Sequence, residues 1–106
     1  MTSLIDRGDV FDADLADAGR HPVVLVSRQT AIPVRTNVTV VLVTSVARHH
    51  PAEVELGPEH GLDHECVANC DEIHTLTKAR LLRRRGTVGL ERMRAVEDAI
   101  RVSLGL

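Results

Sequence analysis

Apolar and β-branched residues form short, nearly unbroken runs in the first half of the chain. The two strongest runs are Val23–Ser27 and Val38–Thr44. Runs of this length without alternation are typical of strands that are covered on both faces. Weaker strands are predicted at Asp9–Ala13, at Ala52–Leu56, where polar and apolar positions alternate, and at Cys66–Cys70. This half of the pattern therefore predicts a sheet built from these five segments.

The apolar period changes near the C-terminus, where it predicts an amphipathic helix over Glu91–Leu104. Gly89 is an acceptable N-cap for this helix, and Gly105 ends it. A shorter helical turn is predicted at Thr77–Leu82, because Thr77 could cap it. The apolar positions that carry the helical period are Leu90, Met93, Val96, Ile100 and Leu104. Together the two halves predict a small, strand-dominated barrel or curled sheet that is closed by a C-terminal helix.

Length and composition exclude several classes of protein. The chain has 106 residues, of which 43% are hydrophobic and 26% charged, so we expect a single globular domain over 1–106. It contains no apolar run of about 18 residues, as a membrane span requires. Met1–Asp6 lacks the basic-then-apolar pattern of a signal peptide. We therefore expect a cytoplasmic protein, and Phe11, its single aromatic residue, leaves almost no platform on which bases could stack.

Charged residues are segregated along the chain. The first 17 residues contain five aspartates against Arg7, whereas residues 78–94 contain seven basic side chains against Glu91. This distribution predicts a dipolar surface that could attract phosphate or an acidic protein segment. The alternative is a solvated basic face that pairs with acids elsewhere in the fold.

One constellation has the residue types that phosphodiester chemistry needs. Arg20 and His21 precede one strong strand, and Thr44 and Ser45 end the next, so neighbouring strands would bring them to one end of the sheet. Imidazole can act as acid or base near neutral pH, and a guanidinium can hold a phosphate. If the substrate is RNA, its own 2′-hydroxyl can be the nucleophile. The alternative is that these are ordinary polar residues at strand ends.

The other histidines, cysteines and carboxylates carry weaker signals. Cys66 and Cys70 are separated by three residues on a strand, whereas strong zinc signals place two cysteines on a turn, so we expect no metal and no cofactor. Asp71, Glu72 and His74 are expected just after that strand. Glu72 could accept hydrogen bonds from base edges or pair with Arg20, or the segment could be a turn held by salt bridges.

Taken in order, these segments resemble the MazF/PemK family of toxins. Arg7–Phe11 resembles the opening of that family, residues 20–27 its second strand, and Val38–Ser45 its third. Asp71–Leu76 resembles the family segment (Asp/Glu)-Gln-Ile-Arg-Thr-Ile, and Leu90–Leu106 resembles its closing helix.

The resemblance covers residues 7–106 and implies a small, SH3-like PemK-type curled β-barrel closed by an α-helix, an α+β fold that is mainly β. It implies a homodimeric toxin of a type II toxin–antitoxin system that cleaves single-stranded RNA at specific sequences. In the family, cleavage needs no metal, uses the 2′-hydroxyl and leaves 2′,3′-cyclic phosphate and 5′-hydroxyl ends. The implied substrate is mRNA, rRNA or tRNA, and the implied partner is an antitoxin with a flexible acidic tail.

Carried over residue by residue, the resemblance makes Thr44 the catalytic threonine. The family's catalytic arginine directly precedes a proline, but here His21 precedes Pro22 and the arginine is Arg20. Adjacent strand residues face opposite sides, so only one of the two can occupy the arginine's place. The candidate catalytic residues are His21, Arg20 and Thr44, and the candidate RNA-binding residues are Ser45, Arg48, Glu72 and His74.

Two functions without nuclease activity stay open beside this one. The loop Ala16–Arg20 is shorter than the family segment that covers the active site, and the arginine is displaced. These departures would fit a catalytically degenerate protein that still binds an antitoxin. A gyrase poison of the CcdB type uses the same barrel, although the basic start of the helix at Arg92 and Arg94 does not favour it.

Overall fold

A curled antiparallel sheet of six strands forms the body of the protein, and one helix packs on it in the computed structural model, which describes residues 5–106. The sheet order is β4-β5-β3-β2-β1-β6. The elements are β1 (Asp9–Asp14), β2 (Arg20–Leu25), β3 (Asn37–Thr44), β4 (Glu53–Leu56), β5 (Cys66–Thr77), β6 (Leu81–Thr87) and helix α1 (Gly89–Leu104).

The two strong apolar runs become the central strands, and both of their faces are buried. In β3, Val38 and Val40 belong to one apolar cluster, whereas Val41 and Val43 belong to the cluster beneath α1. Ile32, in the loop between β2 and β3, is fully buried in the first cluster. The prediction of centrally placed strands is therefore confirmed, because side chains of both parities along β3 are removed from water.

Helix α1 is confirmed, but it begins at Gly89 rather than Glu91. Val88 occupies the N-cap position, so the assignment of Gly89 as N-cap was wrong. Gly105 ends the helix in a left-handed conformation (φ 71°), and its N–H points to the carbonyls of Arg101 and Val102. This is the glycine stop that the sequence predicts.

Two predictions about the second half of the sheet were wrong. The segment Asp71–His74 lies inside β5 rather than after it, since β5 continues to Thr77 past a register shift opposite Val41 and Leu42. The predicted turn exists as a short 3₁₀ segment at Lys78–Arg80, but the side chain of Thr77 does not cap it. A sixth strand, β6, follows where no strand was predicted.

The pairing of β1 with β6 brings the acidic and basic segments of the chain side by side. Four of the seven basic residues of 78–94 contact aspartates of β1, which confirms the alternative that this basic segment pairs with acids elsewhere in the fold. The ion pairs are Arg80–Asp14 (3.5 Å), Arg83–Asp12 (3.7 Å), Arg84–Asp9 (3.2 Å) and Arg85–Asp12 (3.0 Å).

Within the described residues, no helix has the length and hydropathy needed to cross a membrane. The expectation of no signal peptide, drawn from Met1–Asp6, falls mostly on residues 1–4, which lie outside the described part of the chain.

Candidate functional site

A cleft forms where the start of β2 meets the end of β3. These strands are antiparallel, and Val23 lies opposite Leu42, two residues from His21 on β2 and two residues from Thr44 on β3. Both residues line a cleft of about 210 Å³. The cleft residues that matter for its chemistry are His21, Thr44, Ser45, Asp63, Cys66 and Arg85. The prediction that His21, Thr44 and Ser45 share one end of the sheet is thus confirmed.

The short loop before β2 holds the ring of His21. Nε2 of His21 lies 2.9 Å from the carbonyl oxygen of Ala18. Because a carbonyl can only accept, Nε2 carries a hydrogen, and Nδ1 has the lone pair when the ring is neutral. The loop itself is closed by the N–H of Leu15, which donates to the oxygen of Gly19 at 2.8 Å. The imidazole therefore has one orientation and one nitrogen free to take a proton.

Arg20 is exposed and is not among the residues that line this cleft. It lies opposite Asp14 in the β1–β2 register, one residue from His21 and therefore on the other side of the strand. The geometry therefore favours His21 over Arg20 for the position before Pro22.

Thr44 has a hydroxyl that is oriented by its own turn. Its Oγ1 accepts the N–H of Val46 at 3.2 Å, which leaves the hydroxyl hydrogen available to a ligand in the cleft. Ser45 follows directly and lines the same cleft. The end of β3 thus offers two hydroxyl donors close to the imidazole.

Arg85 is a residue of the cleft that sequence reasoning did not select. Its Nε donates to the oxygen of Gly61 at 3.0 Å, Nη1 to Asp12 at 3.0 Å and Nη2 to Asp63 at 2.7 Å. The hydrogen bond to Asp12, aided by the negative charges of Asp12 and Asp63, outweighs burial and raises the pKa of Arg85. Arg85 lay within a basic run, and no local pattern marks which member of such a run turns into a cleft.

Cys66 also lines the cleft, and its side chain is a free thiol. Its sulfur lies 3.4 Å from Nδ1 of His64, and burial, together with the charges of Asp63 and Glu65, raises its pKa. Cys70 is buried in the apolar cluster beneath α1, and burial raises its pKa to about 11. Among the described residues, no three His, Cys, Asp or Glu side chains are grouped as a metal site would need.

Glu72 and His74 lie on β5, away from this cleft. Nε2 of His74 is 3.3 Å from a carboxylate oxygen of Glu72. One interpretation of the sequence paired Glu72 with Arg20, but Glu72 contacts His74 instead. His74 lies opposite Val40, four positions along β3 from Thr44, which corresponds to roughly 13 Å. It lines a separate cavity of about 300 Å³.

Arg48 is exposed on the loop between β3 and β4, and Glu53 organises that loop. The buried carboxylate of Glu53 accepts the N–H of Arg48 at 2.9 Å and the N–H of His49 at 2.8 Å, and His50 Nε2 lies 3.3 Å away. Burial acts to raise the pKa of Glu53, but these backbone hydrogen bonds and His50 outweigh it, so the pKa lies below its ordinary value of 4.5.

We expect Glu53→Gln to lower the free energy of unfolding by about 1–3 kcal/mol at pH 7, since a buried charged acceptor loses hydrogen bonds. A lowered pKa in the folded state means that this contribution is complete above pH 4.5 and is lost as the pH falls through the folded-state value. Urea unfolding of the wild type and the variant at pH 7 and pH 3 measures the loss of unfolding free energy and its dependence on pH. Glu55→Gln, at an exposed position of the same strand, is the control. An equal difference between Glu53→Gln and the wild type at the two pH values would contradict the role of the Glu53 charge.

Comparison with known proteins gives four findings. The family model of the PemK-like, MazF-like toxin of type II toxin-antitoxin systems matches residues 6–104. The probable endoribonuclease MazF5 of Mycobacterium tuberculosis is 34% identical over 105 residues, which cover 98% of this chain and 96% of the relative. The toxin MazF-mt6 of Mycobacterium tuberculosis superposes with a TM-score of 0.87 at 28% identity, covering 92% of this chain and 97% of that chain. An endoribonuclease solved with its cognate antitoxin from a mycobacterial species superposes with a TM-score of 0.86 at 31% identity, covering 96% of both chains.

Proposed function

The chain belongs to the PemK-like, MazF-like toxins of type II toxin–antitoxin systems, and on this basis we propose that it is an endoribonuclease that cuts single-stranded RNA at specific sequences. The observation that carries the proposal is that His21, Thr44 and Ser45 line one cleft. In a phosphoryl transfer, an imidazole can take the proton of the nucleophile, and a hydroxyl can donate a hydrogen bond to the phosphate oxygens.

In the proposed reaction, the 2′-hydroxyl of the substrate attacks the adjacent phosphorus. Nδ1 of His21 takes the proton from that hydroxyl, because Nε2 is engaged with Ala18. Thr44 and Ser45 donate hydrogen bonds to the phosphate oxygens as their negative charge grows. The bond from phosphorus to the 5′-oxygen breaks, this oxygen takes up a proton from water, and His21 later releases its proton to water. The products are a 2′,3′-cyclic phosphate and a 5′-hydroxyl end.

The remaining candidates are proposed to bind RNA on either side of the cut. Arg48 extends from the loop that follows Ser45, so it is proposed to contact the backbone close to the cleft. Glu72 and His74 lie about four residue steps away along the sheet and are proposed to contact a more distant nucleotide. Nε2 of His74 lies 3.3 Å from the carboxylate of Glu72, so the two side chains are proposed to contact that nucleotide together.

A cognate antitoxin and a second copy of the chain are the proposed protein partners. A related mycobacterial endoribonuclease was solved in complex with its cognate antitoxin, which supports the first of these partners. We propose that the antitoxin inserts a flexible acidic segment into the RNA cleft. The cytoplasm is the proposed location, because RNA is the proposed substrate.

Incubation of the antitoxin-free protein with a long, weakly structured RNA in EDTA tests the proposed function. Primer extension then maps the 5′ ends. Discrete cuts at a recurrent short sequence are the expected result. Intact RNA in the presence of protein shown to be folded would overturn the proposal and would favour a member of the family that only binds partners.

A further inference from the structure

The pair of Arg85 and Asp63 lies within the candidate cleft, close to His21 and Thr44. Nη2 of Arg85 and Oδ1 of Asp63 are 2.7 Å apart. A carboxylate bound to a guanidinium makes the same kind of hydrogen bonds as the oxygens of a phosphate. Asp63 therefore occupies a position that suits an RNA phosphate.

The two carboxylates that contact Arg85 differ in their attachment to the fold. The Asp12 side chain is only 13% exposed, lies on β1 and also contacts Arg83. The Asp63 side chain is 83% exposed and lies on the segment between β4 and β5. Because water competes strongly for an exposed ion pair, the contact of Arg85 with Asp63 is the one that a ligand can replace.

Arg85 has two further contacts that do not involve Asp63. Its Nε donates to the oxygen of Gly61 and Nη1 to Asp12, and the side chain is only 11% exposed. Gly61 and Gly86 are packed so closely that a Cβ on Gly61 would lie 2.0 Å from the oxygen of Arg85. The guanidinium is therefore fixed in advance, and binding a phosphate through Nη2 requires little reorganisation.

We propose that Arg85 binds a phosphate of the RNA substrate and that Asp63 is its internal competitor, occupying Nη2 until RNA displaces it. This inference rests on the proposed function and names a phosphate-binding residue for the same cleft. Removal of the Asp63 charge should strengthen RNA binding, because the site then carries one negative charge less and a neutral side chain competes less strongly for Nη2.

Asp63→Asn tests this proposal, with Asp98→Asn as the matched control. Asp98 is also exposed (78%) and also bound to an arginine, Arg101, at 2.8 Å, but it lies on α1 outside the cleft. The two variants therefore have the same net charge. The measurements are KM for an oligonucleotide that contains the mapped cut sequence and Kd for its uncleavable 2′-O-methyl analogue, by fluorescence anisotropy.

Asp63→Asn is expected to lower both constants about fivefold, the upper range for an exposed ion pair, whereas Asp98→Asn leaves them at the wild-type values. Wild-type cleavage with equal constants for the two variants, or weaker binding by Asp63→Asn, would overturn the role of Asp63 and leave the proposed function standing. Absence of cleavage by the wild type would overturn both.

Discussion

His21→Ala is expected to reduce the rate of RNA cleavage by about 10²–10⁴-fold, the usual contribution of a positioned acid–base group. The imidazole is held by Ala18 with Nδ1 free, in the cleft that also contains Thr44. Alanine removes Nδ1, the nitrogen that takes the 2′-hydroxyl proton in the proposed reaction. Single-turnover cleavage of the mapped oligonucleotide measures the loss, and circular dichroism establishes that the variant is folded.

Arg20→Ala is the discriminating variant for this prediction. Arg20 is one residue away and exposed, but it does not line the cleft, so its removal should change the cleavage rate by less than tenfold. Full activity in His21→Ala, or a larger loss in Arg20→Ala than in His21→Ala, would contradict the assignment of His21.

Gly61→Ala is expected to lower the free energy of unfolding by about 2–4 kcal/mol. Gly61 has a φ of +89°, and an added Cβ would lie 2.0 Å from the carbonyl oxygen of Arg85. The substitution therefore combines an unfavourable backbone conformation with a clash against the backbone of β6. Equilibrium unfolding in urea measures the change.

Gly105→Ala separates the two causes. Gly105 is also in the left-handed conformation (φ 71°, ψ 32°), but an added Cβ there would have nothing within 4 Å. This control should lose only about 1–2 kcal/mol, the cost of the left-handed conformation. Equal losses in the two variants would show that the close packing of Gly61 on β6 contributes nothing to stability.

The central strands could be predicted because burial on both faces leaves a continuous apolar run. Val38–Thr44 gave β3 almost without error for this reason. β6 could not be predicted in the same way, since Arg83 and Arg84 are exposed and the strand is held partly by ion pairs to β1. An edge strand of this kind has no apolar period, and its partner is some 70 positions away in sequence, as in Asp12 and Arg83.

The same distinction separates the predicted and unpredicted parts of the cleft. His21 lies at the start of β2 and Thr44 at the end of β3, and consecutive strands are usually neighbours, so the sequence alone could bring them together. Asp63 and Arg85 reach the cleft from a loop and from the unpredicted strand, and their contact depends on the close approach of Gly61 to β6. No spacing in the sequence encodes that approach.

The central claim is that this cleft cleaves RNA through the substrate's own 2′-hydroxyl. The most direct test is a synthetic RNA that contains the mapped cut sequence and carries a single 2′-deoxy nucleotide on the 5′ side of the scissile phosphate. The account predicts that this substrate stays intact, while the all-ribose control is cut to a 2′,3′-cyclic phosphate and a 5′-hydroxyl end. Cleavage of the 2′-deoxy substrate at the same bond and a similar rate would contradict it.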